Sequence, residues 1–157
     1  MSQSPPSDKR IDPSGFTIGI VAACYNEDLI ESLLDKVTAG ICENGEPAEL
    51  FVERVPGSHE IPCAVNLMLN ARPFSCMIGL GVVIKGATSH HHLVAESAGN
   101  ALQSLSLSQG VPVINGIIVT EDLSSAEERI TGSLDRGSEF AQAALEMAQL
   151  HAKWTKT

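Results

Sequence analysis

Residues 82–92, Val-Val-Ile-Lys-Gly-Ala-Thr-Ser-His-His-His, join an apolar run, a glycine turn, two hydroxyl residues and consecutive histidines. A strand leading through Gly86, Ala87, Thr88 and Ser89 into a helix start presents unpaired backbone N–H groups that can hold an anion, and Lys85 adds positive charge beside them. An ordinary capped strand-to-helix turn has the same composition, so the segment alone leaves both readings open. His90, His91 and His92 suggest a metal site, but consecutive helical residues point about 100° apart, and three in a row cannot share one ion. No metal is therefore expected. A histidine in the first helical turn instead sits at the positive end of the helix dipole, which favours the neutral imidazole that can take up or relay a proton. His90 is the candidate for that role, and His91 and His92 are expected to be solvated.

Arg129, in Ala-Glu-Glu-Arg-Ile, could bring a bidentate guanidinium to the same anion, with a surface pair to Glu127 or Glu128 as the plain alternative. Arg136 is a second candidate. Tyr25, the only tyrosine, stands at a strand end where it could stack on a flat heterocycle or simply pack. Cys24 beside it could be a nucleophile, although a thiol closing a buried strand is more often inert.

These residues need elements to position them, and apolar periodicity supplies the expectation. Phe16 to Cys24 is almost continuously apolar, as a strand covered on both faces should be. Ile30, Leu33, Leu34, Val37 and Ile41 form one helical stripe that Gly45 and Pro47 end. Glu49 to Val55 reads as a second strand. Ser58 is placed to cap a helix with Pro62 in its first turn and Val65, Leu67, Met68 and Leu69 on its apolar side. Ser75 to Ile84 is the third strand, and a helix carrying Val94, Ala98, Ala101, Leu102 and Leu105 runs to Gly110. Val111 to Thr120 is the fourth strand, Ser124 with Glu127 matches a capping box, and Phe140 to Leu150 forms a last helix. Strands alternating with helices imply a parallel sheet covered on both faces, with ligands beyond the strands' C-terminal ends. Cys-Tyr-Asn-Glu-Asp, Val-Pro-Gly-Ser-His-Glu-Ile-Pro, the histidine segment and Val-Thr-Glu-Asp should converge there.

The 157 residues fit one domain, with residues 1–15 as a mobile Pro- and Ser-containing arm and 16–157 as the folded unit. No apolar run suits a membrane span or a secretory leader. With 10 Lys+Arg against 19 Asp+Glu, the net charge is −9, which disfavours nucleic acid as a partner. The four cysteines are dispersed, which suits reduced thiols in a cytoplasmic protein better than a zinc ribbon or a disulfide framework.

Taken together, Ile-Gly-Ile-Val-Ala-Ala-Cys-Tyr-Asn, Val-Pro-Gly-Ser-His-Glu-Ile-Pro, Gly-Leu-Gly-Val-Val-Ile-Lys-Gly-Ala-Thr-Ser-His, Gly-Val-Pro-Val-Ile-Asn-Gly-Ile-Ile-Val-Thr-Glu-Asp, Ala-Glu-Glu-Arg and Ala-Leu-Glu-Met-Ala-Gln-Leu resemble the 6,7-dimethyl-8-ribityllumazine synthases over about residues 16–150. The resemblance implies a three-layer flavodoxin-like fold with a four-stranded parallel sheet flanked by helices. It implies a transferase of riboflavin biosynthesis that condenses 5-amino-6-(D-ribitylamino)uracil with 3,4-dihydroxy-2-butanone 4-phosphate, without cofactor or metal. Carried over by position, Tyr25 stacks on the pyrimidine beside Asn26; Ser58, His59 and Glu60 hold the ribityl chain and ring; and the backbone of Val82, Val83 and Ile84 reads the pyrimidine edge. Gly86, Ala87 and Thr88 form the phosphate turn with Arg129 and Arg136, His90 moves protons, and Asn115 reaches the pyrimidine across a subunit interface.

The chain has Cys24-Tyr25 where the family most often has Arg-Phe, and His59 and Asn115 where it often has Phe. Lys85 and Arg136 replace a common Arg and Lys. The phosphate half thus matches more closely than the pyrimidine half. The same resemblance implies a pentamer with active sites between subunits, and riboflavin synthase as a conceivable partner. No insertion lies between Arg129 and Gly137 to block a 60-subunit shell of twelve pentamers, while Pro5, Pro6 and Pro13 limit the arm as an added strand. The competing reading is a non-catalytic lumazine- or flavin-binding or scaffold homologue, against which His90, Arg129 and the glycine turn weigh.

Overall fold

The computed structural model describes residues 9–87 and 90–155. In chain order it contains β1 (Thr17–Ala23), α1 (Glu27–Cys42), β2 (Glu49–Val55), a 3₁₀ turn (Ser58–Glu60), α2 (Ile61–Ala71), β3 (Cys76–Ile84), α3 (His90–Gln109), β4 (Val113–Thr120), α4 (Leu123–Ile130) and α5 (Arg136–Thr155). The strands form one parallel sheet in the order β2-β1-β3-β4. This is the three-layer flavodoxin-like α/β arrangement that the alternating pattern implied.

Side chains alternate across the sheet. Ile18, Ile20 and Ala22 of β1 enter one core with Leu29, Ile30, Leu33, Val37 and Ile41 of α1 and with apolar residues of α4 and α5. Val21 and Ala23 enter the other, against Ile61 and Val65 of α2 and Leu102 of α3. That two-residue period on a sheet covered twice explains why β1 reads as an unbroken apolar run.

Several local expectations shift. Ser58 makes no capping hydrogen bond: it lies inside the 3₁₀ turn, and α2 begins at Ile61. Ser124 does not cap α4. Asp122 does, its carboxylate accepting the Ser125 N–H at 2.7 Å, because an Asp cap is as good as a Ser cap and stands two residues earlier. The last helix starts at Arg136, where a polar first turn hid it from the apolar pattern. Gly110 does end α3, at φ 66°, a left-handed conformation that glycine adopts without strain. Of the expected arm, residues 1–8 lie outside the described residues, while Ile11 is only 3% exposed and joins the α1/α5 core. Lys9 also pairs with Glu146 at 3.0 Å, so residues 9–15 touch the body that was expected to begin at Phe16.

Candidate functional site

The sheet order reverses direction between β1 and β3: the chain leaves β1 for β2 on one side and returns to β3 on the other. In an open parallel sheet, that switch point leaves a crevice beyond the strand ends. Here the strand lengths sharpen it. β1 pairs with β3 only as far as Ala22↔Leu80, whereas β4 pairs with β3 as far as Ile84↔Thr120. The last residues of β3, including Val82, Val83 and Ile84, therefore turn one backbone edge toward the crevice with no strand beside it. Such an edge offers fixed donors and acceptors to a planar ligand.

Asn26 follows β1 in the left-handed region, φ 59°, a conformation Asn tolerates better than most residues. Its Nδ2 donates to the Val82 carbonyl at 2.9 Å. Its amide thus braces β1 against β3 and takes up part of the open edge. Tyr25 is 73% exposed, and a methyl group added at Gly57 would lie 3.4 Å from its ring. The ring lies close over the Gly57 backbone and stays open to solvent, which suits stacking better than core packing. Arg54 steadies the same strand end: its Nη2 donates to the Ala23 carbonyl at 3.1 Å while Nη1 pairs with Glu31. Sequence reasoning missed Arg54; nothing in its local pattern marks it, because the partner carbonyl is on the neighbouring strand.

Ser58 is 6% exposed and sits against Gly81, where a β-carbon would fall 2.3 Å from the Ser58 Oγ. Any β-carbon there would have to push the Ser58 hydroxyl aside. The 3₁₀ turn is thereby pressed onto β3, which leaves His59 and Glu60 exposed on the rim. Gly86 and Ala87 are exposed beyond β3, and a methyl group at Gly86 would meet nothing within 4 Å. Thr88 of the expected phosphate turn lies outside the described residues. His90 is the exposed first residue of α3.

His91 departs from expectation. It is 6% exposed because it shares the inward face of α3 with Ala98 and Leu102, seven and eleven residues on. The signal was available: stepping the apolar stripe back seven residues from Ala98 lands on His91. His92 is exposed, and its ring centroid lies 3.9 Å from that of His91. Glu121, just past β4, accepts from the Lys85 ammonium at 2.6 Å, and that hydrogen bond, with the ammonium's charge, holds its carboxyl below the usual range.

The arginines belong to a different place. Arg129 and Arg136 line a cleft of ≈ 180 Å³ with Asn115, Val119 and Phe140, along the outer edge of β4. Tyr25, Asn26, Ser58, His59, Glu60 and His90 are not among its described lining residues. The Arg129 Nη1 donates to the Ser125 carbonyl at 3.0 Å, and the Arg136 Nη1 pairs with Glu139. Asn115 accepts the Ile117 N–H at 3.1 Å, and its amide lies against Gly99 of α3. At ≈ 180 Å³ the cleft falls short of the about 300–1,000 Å³ of a complete small-ligand pocket. One chain therefore presents two surfaces, a backbone-rich crevice at β1/β3 and, at β4, a cationic cleft too small to be a complete pocket.

Comparison with known proteins converges on the same chemistry. The family model described as 6,7-dimethyl-8-ribityllumazine synthase matches residues 15–152. A 6,7-dimethyl-8-ribityllumazine synthase of Polaromonas sp. (strain JS666 / ATCC BAA-500) is 35% identical over 145 residues, which cover 92% of each chain. The protein of the same name from Nitrosomonas europaea is 35% identical over 144 residues, 91% of this chain and 86% of its own. With the match running through both surfaces and the whole sheet, the chain belongs to the 6,7-dimethyl-8-ribityllumazine synthase family, transferases of riboflavin biosynthesis.

Proposed function

We propose that this chain condenses 5-amino-6-(D-ribitylamino)uracil with 3,4-dihydroxy-2-butanone 4-phosphate, releasing phosphate and water, in a site completed by two neighbouring subunits. The observation that carries the second clause is the separation of the cationic cleft from the β1/β3 crevice. The pyrimidine stacks on Tyr25 and bonds the open β3 edge at Val82–Ile84, with Asn26 holding that edge and Ser58, His59 and Glu60 flanking the ribityl chain. Arg129 and Arg136 of one chain, with Asn115 beside them, face the crevice of the next, where Gly86, Ala87 and Thr88 supply backbone donors to the phosphate.

The chemistry asks for these groups. An amine adds to a ketone and water leaves to give an imine, phosphate departs by elimination, and ring closure expels further water. A single neutral base can serve each proton movement, and His90, the exposed first residue of α3, supports that reading. A fixed guanidinium with N–H donors stabilises the departing phosphate, and holding both substrates together supplies further acceleration. No cofactor or metal is required by these steps.

The family implies small-molecule substrates and a homo-oligomer; the finer assembly is a pentamer, with a shell of twelve pentamers permitted by the short Arg129–Gly137 connection. Riboflavin synthase, which would consume the product, is a candidate partner. No helix among the described residues is long and apolar enough to cross a membrane, which accords with a cytoplasmic enzyme.

The test mixes purified protein with both substrates and follows lumazine absorbance and fluorescence, with no product overturning the activity. Sharing is tested separately by dissociating and reassembling impaired His90→Ala chains with impaired Arg129→Ala chains, assayed at low phosphorylated butanone, where both are slow. If each site draws on two chains in a closed ring, an equal mixture regains activity at about a quarter of its sites. No recovery in properly assembled mixtures would mean that both residues serve one chain's own site.

A further inference from the structure

Three consecutive histidines cannot share an ion, but the structure brings a ligand from another element to two of them. One nitrogen each from His91 and His92 and one carboxylate oxygen of Glu121 lie within 4.8 Å of one another. We propose that His91, His92 and Glu121 form a binding site for a divalent transition-metal ion of the zinc class, which displaces the Lys85 ammonium from Glu121 when it binds.

The donor set fits that chemistry. Two imidazoles and one carboxylate suit zinc, nickel or copper and not the oxygen-seeking magnesium or calcium. Ligands around a tetrahedral zinc ion lie about 3.3 Å apart at ordinary bond lengths, so the present spacing closes by small rotations. The arrangement supplies the freedom where it is needed: His91 is held within the first turn of α3, while His92 and Glu121 are exposed and can swing toward it. His92 is already there, its ring centroid 3.9 Å from that of His91. Three protein ligands leave a fourth position toward solvent.

Lys85 sets the opposing force. Its ammonium lies 2.6 Å from the Glu121 carboxylate, and both side chains are about half exposed, at 51% and 64%. A dication brought to Glu121 meets that charge and the positive end of α3, so the ion and the ammonium compete for one carboxylate. Removing the lysine charge therefore strengthens metal binding, the reverse of its effect on an anion site. This sign separates the proposal from any phosphate role of the same loop.

The experiment is a Co²⁺ titration of the assembled, metal-free protein, read by the intense visible ligand-field bands of low-coordinate cobalt, which are far weaker in water-bound cobalt, with Zn²⁺ as competitor. The expected result is one ion per chain, displaced by Zn²⁺. Since even outer partners of a metal ligand are worth about 10–100-fold in affinity, Glu121→Gln and His92→Ala should each weaken binding by more than about tenfold, and Lys85→Gln should tighten it. Both weakened residues are exposed, so far-UV circular dichroism should be unchanged. Equal binding by wild type, Glu121→Gln and His92→Ala overturns the site, as does a wild-type spectrum no stronger than that of water-bound cobalt. Weakening by Lys85→Gln overturns the competition.

Discussion

The β1/β3 crevice and the β4 cleft are built by opposite means. The crevice is set by backbone and small residues: a strand that outruns its neighbour, Gly81 giving way to Ser58, and an Asn26 amide tying two strand ends at 2.9 Å. The cleft is set by long charged side chains, Arg129 and Arg136, each engaged within its own connection or helix. A shape fixed by backbone tolerates side-chain change at its rim, where Tyr25, His59 and Glu60 stand exposed. A cleft that works through guanidinium charge tolerates less. The comparison teaches that the crevice should fail by losing form, and the cleft by losing charge.

The largest expected effect falls between the two. His90→Ala should slow turnover by about 10²–10⁴-fold with little change in substrate binding, the usual range for a general acid-base group. His92→Ala should do much less. Steady-state kinetics decide it, and equal losses would detach the proton role from His90.

Next comes the charge test. Arg129→Ala should weaken use of the phosphorylated butanone by about 10–100-fold, as expected for a lost hydrogen-bonded charge, and leave pyrimidine binding nearly intact. Arg129→Lys should recover part, as a point charge without the fork. Separate titration of each substrate measures both, and a comparable loss toward the pyrimidine would break the division between the two surfaces.

The form test is Gly81→Ala. Its β-carbon falls 2.3 Å from the Ser58 Oγ and 3.1 Å from the Ser58 Cβ, within a buried contact. Overpacking of this kind costs about 1–3 kcal/mol, so thermal unfolding should shift down and the pyrimidine KM should rise. Adding Ser58→Ala removes the nearer clash and should return part of the stability, a non-additivity expected of residues in contact. An unchanged phosphate-substrate KM would sharpen the comparison.

The smallest effect is electrostatic and belongs to the cleft's foundation. The Ser125 hydroxyl, and then its N–H, hold the Asp122 carboxyl below its ordinary range. A carboxyl lowered in the folded state contributes stability above its unfolded value, near about 4, and loses it as the pH falls through the folded value. Asp122→Ala should therefore reduce stability at pH 7, and the difference from wild type should shrink toward pH 3. Denaturant unfolding at both values checks it; a difference that grows in acid would reverse the assignment.

Much of the fold is legible in the amino-acid order. The strand at Glu49 to Val55 falls where its composition put it. The stripe from Ile30 to Ile41 is the buried face of α1 apart from half-buried Leu34. What escaped were contacts whose partners are remote in the chain. Ile11 is an apolar residue between Arg10 and Asp12 and becomes core only by joining the cluster that α1, α4, α5 and the sheet form. His91 looks solvated among its histidine neighbours and is buried by helix phase, and Arg54 finds its acceptor on the neighbouring strand, 31 residues back.

Sequence alone determined the alternation of strands and helices, the glycine turn before the histidines and the family the chain joins, since each depends on short-range periodicity or on motifs read along the chain. Only the tertiary structure decided that β3 outruns β1 and leaves a backbone edge open, and that Arg129 keeps company with Asn115 and Arg136. It also decided that Glu121 meets His91 and His92. Strand register and the approach of separate loops are set by how two cores pack against one sheet, and that balance of many weak contacts is written in no local stretch of sequence.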